Sequence, residues 1–358
     1  MELIELGWND FFQQQIKEQE ESLLPARVYR QDLGRYHLFS SQGELTGILP
    51  GRVLQHASSK AQLPTVGDWV LTAPADEKDL SPVVIERTLD RLSKFSRKEA
   101  GDKVEEQVVA ANIDTVFIVS GLDDNFNINR LERYLFLTRS SGVTPVIVLN
   151  KADLCTDLET RVLALESVAM GTSIHTVSAQ AGDGMDELLD YVQPGQTVAL
   201  LGSSGVGKST IINALLGYAR FDTGDVREDD SKGRHTTTFR EMCKLASGGL
   251  IIDTPGMREI QIWTDESSLA ISFADIDEYA IQCRFSDCQH NSEPDCAVQA
   301  AISGGELDSL RLESFRKFDR ELTHLAEKQD AGARAENKKE RKKFARTIRN
   351  RPSKRSTP

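Results

Sequence analysis

Residues 202–209 read Gly-Ser-Ser-Gly-Val-Gly-Lys-Ser, set between an apolar run, Val198 to Leu201, and a helix-like stretch, Thr210 to Leu216. Glycines at 202, 205 and 207 let a backbone curl until successive N–H groups face a single anion. Ser203, Ser204 and Val206 lend further amides to such a cradle, and Lys208 brings a cation to the terminal phosphate oxygens. The Ser209 hydroxyl suits Mg²⁺, and the helix that opens at Thr210 adds the positive end of its dipole. A loop of this composition between a strand and a helix implies a nucleoside triphosphate.

A second constellation implies which base. Asn150-Lys151-Ala152-Asp153 follows the apolar run Val146 to Leu149. A carboxylate at a strand end can accept from guanine N1–H and the 2-amino group, which adenine cannot offer. A pocket built around such donors rejects the analogue lacking them. Asn150 would brace the loop and approach the purine N7, with the Lys151 stem over the base plane. Ser178-Ala179 offers a backbone N–H for guanine O6. Together these segments favour GTP over ATP.

Asp253-Thr-Pro-Gly256 ends a third apolar run, Leu250 to Ile252. Its Asp253 is placed to hold Mg²⁺ through water and its Gly256 to sense a γ-phosphate. Of the threonines in Gly233-Arg-His-Thr-Thr-Thr238, Thr237 is the first choice to complete the metal shell and Thr236 the second. Many GTPases follow the glycine with a glutamine that orients water; here Met257 stands there, so slow intrinsic hydrolysis is expected. His235 is the candidate for positioning water and, with Lys208, makes up the catalytic set. An RNA contact or simple packing is the other reading of His235.

Cys283, Cys288, His290 and Cys296 fall within 14 residues. Three thiolates and an imidazole suit a closed tetrahedral Zn²⁺ site, structural rather than catalytic. Five cysteines, three of them crowded, imply metal binding in a reducing compartment and not a disulfide framework. Cys155, Cys243, His37, His56, His175 and His324 are read as ordinary structural residues.

These groups need elements to position them. Short apolar runs alternating with helix-like stretches such as Leu131 to Leu137 imply a parallel sheet with helices on both sides. Residues 24–98 instead show short alternating strands punctuated by glycines, as in an antiparallel barrel, oligonucleotide-binding first and SH3-like second. Arg27, Arg30, Arg35 and Arg52, among Tyr29, Tyr36 and Phe39, would pair phosphates and stack bases there, unless the aromatics are core. A short helix is expected over Phe11 to Glu21. Near the other end, Leu307, Leu310, Phe315, Phe318, Leu322 and Leu325 are expected to share one helix face.

Composition is ordinary for a globular chain, with 39% hydrophobic and 27% charged residues and a net charge of −12 over 358 residues. No apolar run approaches bilayer length and the first residues lack a secretory pattern, so neither membrane nor export is expected. Charge is segregated: residues 330–358 carry 11 Lys or Arg against 3 Asp or Glu, a net of +8, which leaves −20 on the rest. A basic tail of this kind reads as an interaction segment that is unfolded when unbound.

Familiar GTPases run phosphate loop, switch threonine, Asp-x-x-Gly, Asn-Lys-x-Asp, Ser-Ala. This chain runs Asn-Lys-x-Asp, Ser-Ala, phosphate loop, threonine, Asp-x-x-Gly, a circular permutation. With the preceding barrel and the following cysteine cluster, it resembles the RsgA (YjeQ) family over about residues 24–325. The resemblance implies a multidomain fold: an extension over 1–23, an OB-like barrel over 24–98, a permuted α/β P-loop GTPase domain over 99–262, a mostly helical zinc domain over 263–329 and the tail from 330. It further implies a cytoplasmic, monomeric GTP hydrolase of late small-subunit maturation, with Zn and Mg as cofactors. The 30S subunit, 16S rRNA and GTP/GDP would be its partners, with 30S-stimulated hydrolysis driving release. The alternative is a nucleotide-gated RNA-binding or chaperone module in which hydrolysis is incidental.

Overall fold

The computed structural model describes residues 1–32, 34–57, 59–74, 81–98, 106–169, 171–221, 240–253, 269 and 272–327. His235, Thr236, Thr237, Gly256, Met257 and the basic tail lie outside the described residues. Contacts divide the chain into two compact units: Met1–Arg97 with Glu106–Thr264, and Lys98–Glu105 with Asp265–Pro358.

The first unit begins with a closed barrel of β1 (Leu24–Asp32), β2 (Arg35–Ser40), β3 (Gly43–Ile48), β4 (Trp69–Thr72) and β5 (Val83–Thr88). The order β1-β2-β3-β5-β4 closes through β1–β4, and only β3–β5 is parallel. This is the OB-like arrangement; the SH3-like alternative falls away. Ala26, Val28, Tyr36, Leu38, Val70 and Ile85 fill its interior. Trp69, next to Val70, faces the other way, against Trp8 at 4.8 Å and Phe12 at 5.8 Å between ring centroids.

Several arginines and aromatics expected to touch nucleic acid are structural. Arg27 is 1% exposed and donates to the carbonyls of Leu6 (2.5 Å), Asn112 (2.7 Å) and Gly67 (3.2 Å). Its position on β1 places it where three chain segments present carbonyls, and a guanidinium's fork reaches all three; Gly67 O also accepts from Asn112 Nδ2 at 3.0 Å. Tyr36 and Phe39 are buried, and Arg52 pairs with Glu86 at 2.7 Å. The helix expected over residues 11–21 is broken into α1 (Asp10–Gln13) and a 3₁₀ turn at Glu18–Glu20. Tertiary bonds override local propensity there: Gln15 and Glu20 are taken up by Asp90 and Arg87. A further short helix, α2, spans Gly51–His56.

The nucleotide-type sheet consists of β8 (Thr115–Gly121), β9 (Thr144–Asn150), β10 (Ser173–Thr176), β11 (Thr197–Leu201), β12 (Glu241–Lys244) and β13 (Leu250–Asp253), in the order β10-β9-β8-β11-β13-β12. The three apolar runs at 146–149, 198–201 and 250–252 are strands, as is a fourth, Val116 to Val119, and all of these strands run parallel except β12. A separate pair, β6 (Lys94–Lys98) with β7 (Glu106–Ala111), precedes it. Helices α3 (Ile128–Ser140), α4 (Leu158–Ala169), α5 (Met185–Leu189) and α6 (Lys208–Leu216) make the crossovers. From β8 the chain steps outward to β9 and β10, then returns to β11 on β8's other side. Ligands bind outside the carboxyl ends of strands at such a switch point. That crevice is the mouth between β8 and β11.

Barrel and sheet are joined within this unit. Arg30 of β1 pairs with Glu241 of β12, and Lys244 binds Glu5 at 2.6 Å. The opening segment is therefore built into the unit, with Leu6 and Phe12 fully buried.

The second unit contains α7 (Ala274–Ala280), α8 (Ala297–Gly304) and a helix over 309–327, here α9. Phe318, Leu322 and Leu312 are buried, but Leu310 is 59% exposed. Position 310 falls off the stripe that 311, 315, 318, 322 and 325 form at helical spacing. Arg311 occupies that stripe, its guanidinium 4.0 Å over the Phe273 ring and bonded to Asp275 at 3.0 Å.

Candidate nucleotide and metal sites

The phosphate loop leaves β11 and enters α6 with Gly205 at φ 79° and Gly207 at φ 97°, the left-handed region open to glycine. A Cβ on Gly207 would lie 2.1 Å from Asn150 Nδ2, so the loop is packed directly against the Asn-Lys-x-Asp segment. Lys208 Nζ folds over the loop and donates to Gly202 O (2.8 Å) and Ser203 O (2.7 Å). The Ser203 hydroxyl is buried without a hydrogen-bond partner. An orphaned hydroxyl, a glycine-lined curve and a lysine held on carbonyls together fit a phosphate chain.

Asn150, 3% exposed, ties three segments. Its Nδ2 donates to Val206 O at 2.9 Å, and its Oδ1 accepts from Ala179 N–H at 3.1 Å. The Ala179 amide, expected to face a guanine O6, is thus directed at Asn150, because a buried amide oxygen requires a donor. Ser178 donates from Oγ to Asp153 Oδ1 at 2.6 Å, and its own N–H goes to Asp183 O at 3.0 Å. Asp153 is exposed at the mouth, with its second oxygen clear of this bond. Lys151 sits at φ 67°, and its Nζ reaches Asp123 Oδ2 at 2.7 Å. Burial raises the Asp123 carboxyl, but the Lys151 ammonium and the Asn125 N–H outweigh it and hold it below the ordinary carboxylate range. Asp253 ends β13 next to β11, 5% exposed. With Ser209 at the start of α6, it supplies the kind of oxygen donors a loop-bound Mg²⁺ takes.

Asp123 was missed by motif reading, and so was Arg161, whose Nη1 donates to Leu122 O (3.0 Å) and Asp123 O (3.2 Å). The available signal was a carboxylate two residues beyond the end of β8, at the carboxyl edge of a parallel sheet.

In the second unit, Cys283, Cys288, His290 and Cys296 bring four ligand atoms within 4.8 Å of one another. Cys283 Sγ lies 3.6 Å from His290 Nδ1 and 3.9 Å from Cys296 Sγ, and Cys296 Sγ lies 3.5 Å from His290 Nδ1. Bonds of about 2.3 Å to sulfur and about 2.0 Å to nitrogen give tetrahedral edges of about 3.5–3.8 Å, so the set is compatible with a structural zinc. The thiol of Cys283 is raised by burial, yet the amides of Val298 and Ala297 at the start of α8 bring it below its ordinary value. Burial lowers His290, favouring the neutral imidazole that ligates metal. The His290 carbonyl accepts from Gln299 and Arg316, which fixes the loop from outside.

A parallel sheet with its phosphate loop at the switch point, fed by a base-side segment that precedes the loop in the chain, defines a circularly permuted P-loop GTPase. The profile of the RsgA GTPase family matches residues 88–263. "Small ribosomal subunit biogenesis GTPase RsgA" of Opitutus terrae is 45% identical over 338 residues, 92% of each chain. The protein of that name from Syntrophotalea carbinolica is 41% identical over 352 residues, 97% of this chain and 96% of its own. Among solved structures, YjeQ from Thermotoga maritima aligns at a TM-score of 0.63 with 28% identity, covering 84% of this chain and 99% of its own. YloQ, described as a circularly permuted GTPase, shares the fold at a TM-score of 0.60 and 22% identity, over 86% and 98%. The chain belongs to the RsgA GTPase family and is a GTP hydrolase. Among the described residues no helix is long and apolar enough to cross a membrane.

Proposed function

We propose that this chain acts in maturation of the small ribosomal subunit, binding 30S particles and 16S rRNA in its GTP form and leaving after hydrolysis that the subunit stimulates. The observation that carries the nucleotide half is Asn150, whose single amide joins the base-side segments to the phosphate loop. The ribosomal half rests on relatives named for that role that align over nearly the whole chain.

On this reading Asp153 accepts from the guanine edge, the Lys151 stem covers the base, and the amides from Gly202 to Lys208 surround the phosphates. Lys208 transfers its ammonium from the loop carbonyls to the β- and γ-phosphate oxygens. Ser209, Asp253 and Thr237 would hold Mg²⁺, which would supply positive charge against that developing on the phosphates. Gly256 senses the γ-phosphate. Met257 can neither donate to nor accept from the attacking water, so the unstimulated rate is low and His235 positions water once the subunit is bound. One zinc ion on Cys283, Cys288, His290 and Cys296 organises a loop with little core of its own. The barrel over 24–98, the zinc-binding region over 263–329 and the tail from 330 contact RNA around the GTPase domain over 99–262, in a monomer that works in the cytoplasm.

Phosphate release from purified protein mixed separately with 30S, 50S and 70S particles tests the proposal. Selective acceleration by 30S is expected, and His235→Ala should remove it while GTP affinity stays. Equal rates with and without 30S would leave a nucleotide-gated RNA binder in its place, and competition by ATP equal to that by GTP would overturn the guanine assignment.

A further inference from the structure

Asp123 lies outside every motif that the nucleotide reading uses, yet both of its carboxylate oxygens are held on the base side of the mouth. Its Oδ2 meets Lys151 Nζ at 2.7 Å, and its Oδ1 accepts from Asn125 N–H at 3.0 Å. Its backbone is held by Arg161, which binds Asp157 at 2.9 Å and stacks over Phe126 at 5.3 Å. Gly121 makes room for it: a Cβ there would come within 2.7 Å of Asp123 Oδ1 and 3.1 Å of its Cγ. Gly121 and Asn150 are register partners at the ends of β8 and β9, and Leu122 N–H donates to Asn150 O at 2.8 Å. Asp123 and Lys151 therefore rise side by side from two adjoining strand ends.

We propose that Asp123 is a positioning residue for the guanine base, anchoring the Lys151 ammonium so that its four-methylene stem is laid out as a ready-made platform. The inference deepens the reading of Asn150 to Asp153 as the guanine site and rests on it. A lysine left to itself samples many rotamers and must give them up to cover a ring. Paired beforehand, it has given up much of that freedom already, which is how preorganisation raises affinity. The same bond keeps Lys151 off the phosphates, which have Lys208 for that purpose. Base binding and phosphate binding thereby draw on separate lysines.

The separation makes the test. Binding of GDP, GTP and inorganic tripolyphosphate, each with Mg²⁺, is measured for wild type, Asp123→Asn, Asp123→Glu, Lys151→Met and the Asp123→Asn/Lys151→Met double variant. Asp123→Asn is expected to weaken GDP and GTP by the same factor, about 10-fold of the ~30-fold that a lysine's rotamer freedom can amount to. Tripolyphosphate binding should not change, and Asp123→Glu should recover part of the loss. In the Lys151→Met background the Asn substitution should add nothing, since the two residues act as one unit. Unaltered GDP affinity in Asp123→Asn, an equal loss for tripolyphosphate, or a full loss persisting in Lys151→Met would each overturn the proposal. Wild-type protein that binds GDP no better than ADP would instead overturn the guanine reading beneath it.

Discussion

Replacing Asn150 with alanine removes the one side chain that bonds both Val206 O and Ala179 N–H. Both partners lie against a residue 3% exposed, so neither finds water without local opening. A buried group deprived of its partner costs about 1–3 kcal/mol, and two such groups cost about 2–6 kcal/mol. If the loop opens enough for the Val206 carbonyl to hydrate, the loss sits in the lower half of that range, about 2–4 kcal/mol. At 1.4 kcal/mol per decade this weakens binding by roughly 30- to 700-fold. Unlike the Asp123 variants, Asn150→Ala should weaken tripolyphosphate as well as GDP, because the Val206 bond shapes the phosphate loop itself. Isothermal titration with both ligands, alongside thermal unfolding of the nucleotide-free protein, separates a site effect from a global one. A loss below about threefold for both ligands, or a loss confined to GDP, would show that the bond to Val206 does not hold the loop in shape.

Metal analysis of the purified chain should find one zinc, and a chelator should abolish hydrogen-exchange protection over 283–296 while leaving GDP binding in place; unchanged protection after chelation would mean that metal does not organise the loop. Arg27→Met strands the Leu6 and Asn112 carbonyls in a buried site, while Gly67 O keeps its bond from Asn112 Nδ2, and should destabilise the first unit by about 2–6 kcal/mol in urea unfolding, with a value under about 1 kcal/mol contradicting the structural role assigned to this arginine. Glu106 is raised by burial but held lower overall by Lys94 and Ser96, each at 2.7 Å, so its folded value lies below the ordinary 4.5. Its contribution to stability is present above that ordinary value and is lost as pH falls through the folded one; Glu106→Gln should flatten the acid limb of a pH–stability curve, and an unchanged limb would refute the assignment.

The strands of the GTPase sheet were legible because burial on both faces leaves a continuous apolar run, and β8, β9, β11 and β13 each carry one. The cysteine cluster was legible because its ligands are local in sequence. What sequence hid were relations between segments. Arg27 looked like an RNA contact because nothing local announces that Leu6, Gly67 and Asn112 converge on it. Along β4 the residue that joins the barrel interior is Val70, while Trp69 beside it is buried against Trp8 of the opening segment, a partner that no local pattern announces. Leu310 was assigned to the buried helix face by hydrophobicity, whereas Arg311 holds that position through an aromatic stack and a carboxylate. Asp123 carries no motif, and its role emerges only when β8 and β9 are set in register.

Permutation changes the chain ends of the GTPase domain and leaves its sheet order alone. The phosphate-loop strand β11 still lies between β8 and β13, so Asp253 and Asn150 approach Lys208 from strand ends one and two places from β11. The covalent links are what differ. Residues 190–196 carry the chain to β11 through a turn closed by Gln196 N–H on Gln193 O at 2.9 Å. In the familiar order the segment after Asp-x-x-Gly must continue to the equivalent of β8; here the cysteine cluster follows it in the sequence. The segment holding His235 and Thr237 runs directly into β12, where Glu241 pairs with Arg30 of the barrel on one side and with Asp253 on the other. On the proposed reading, the two segments that sense the γ-phosphate are therefore the two that lead to the parts gripping RNA. On the same reading, loss of that phosphate would reach the barrel through the Glu241–Arg30 rung of the β-ladder.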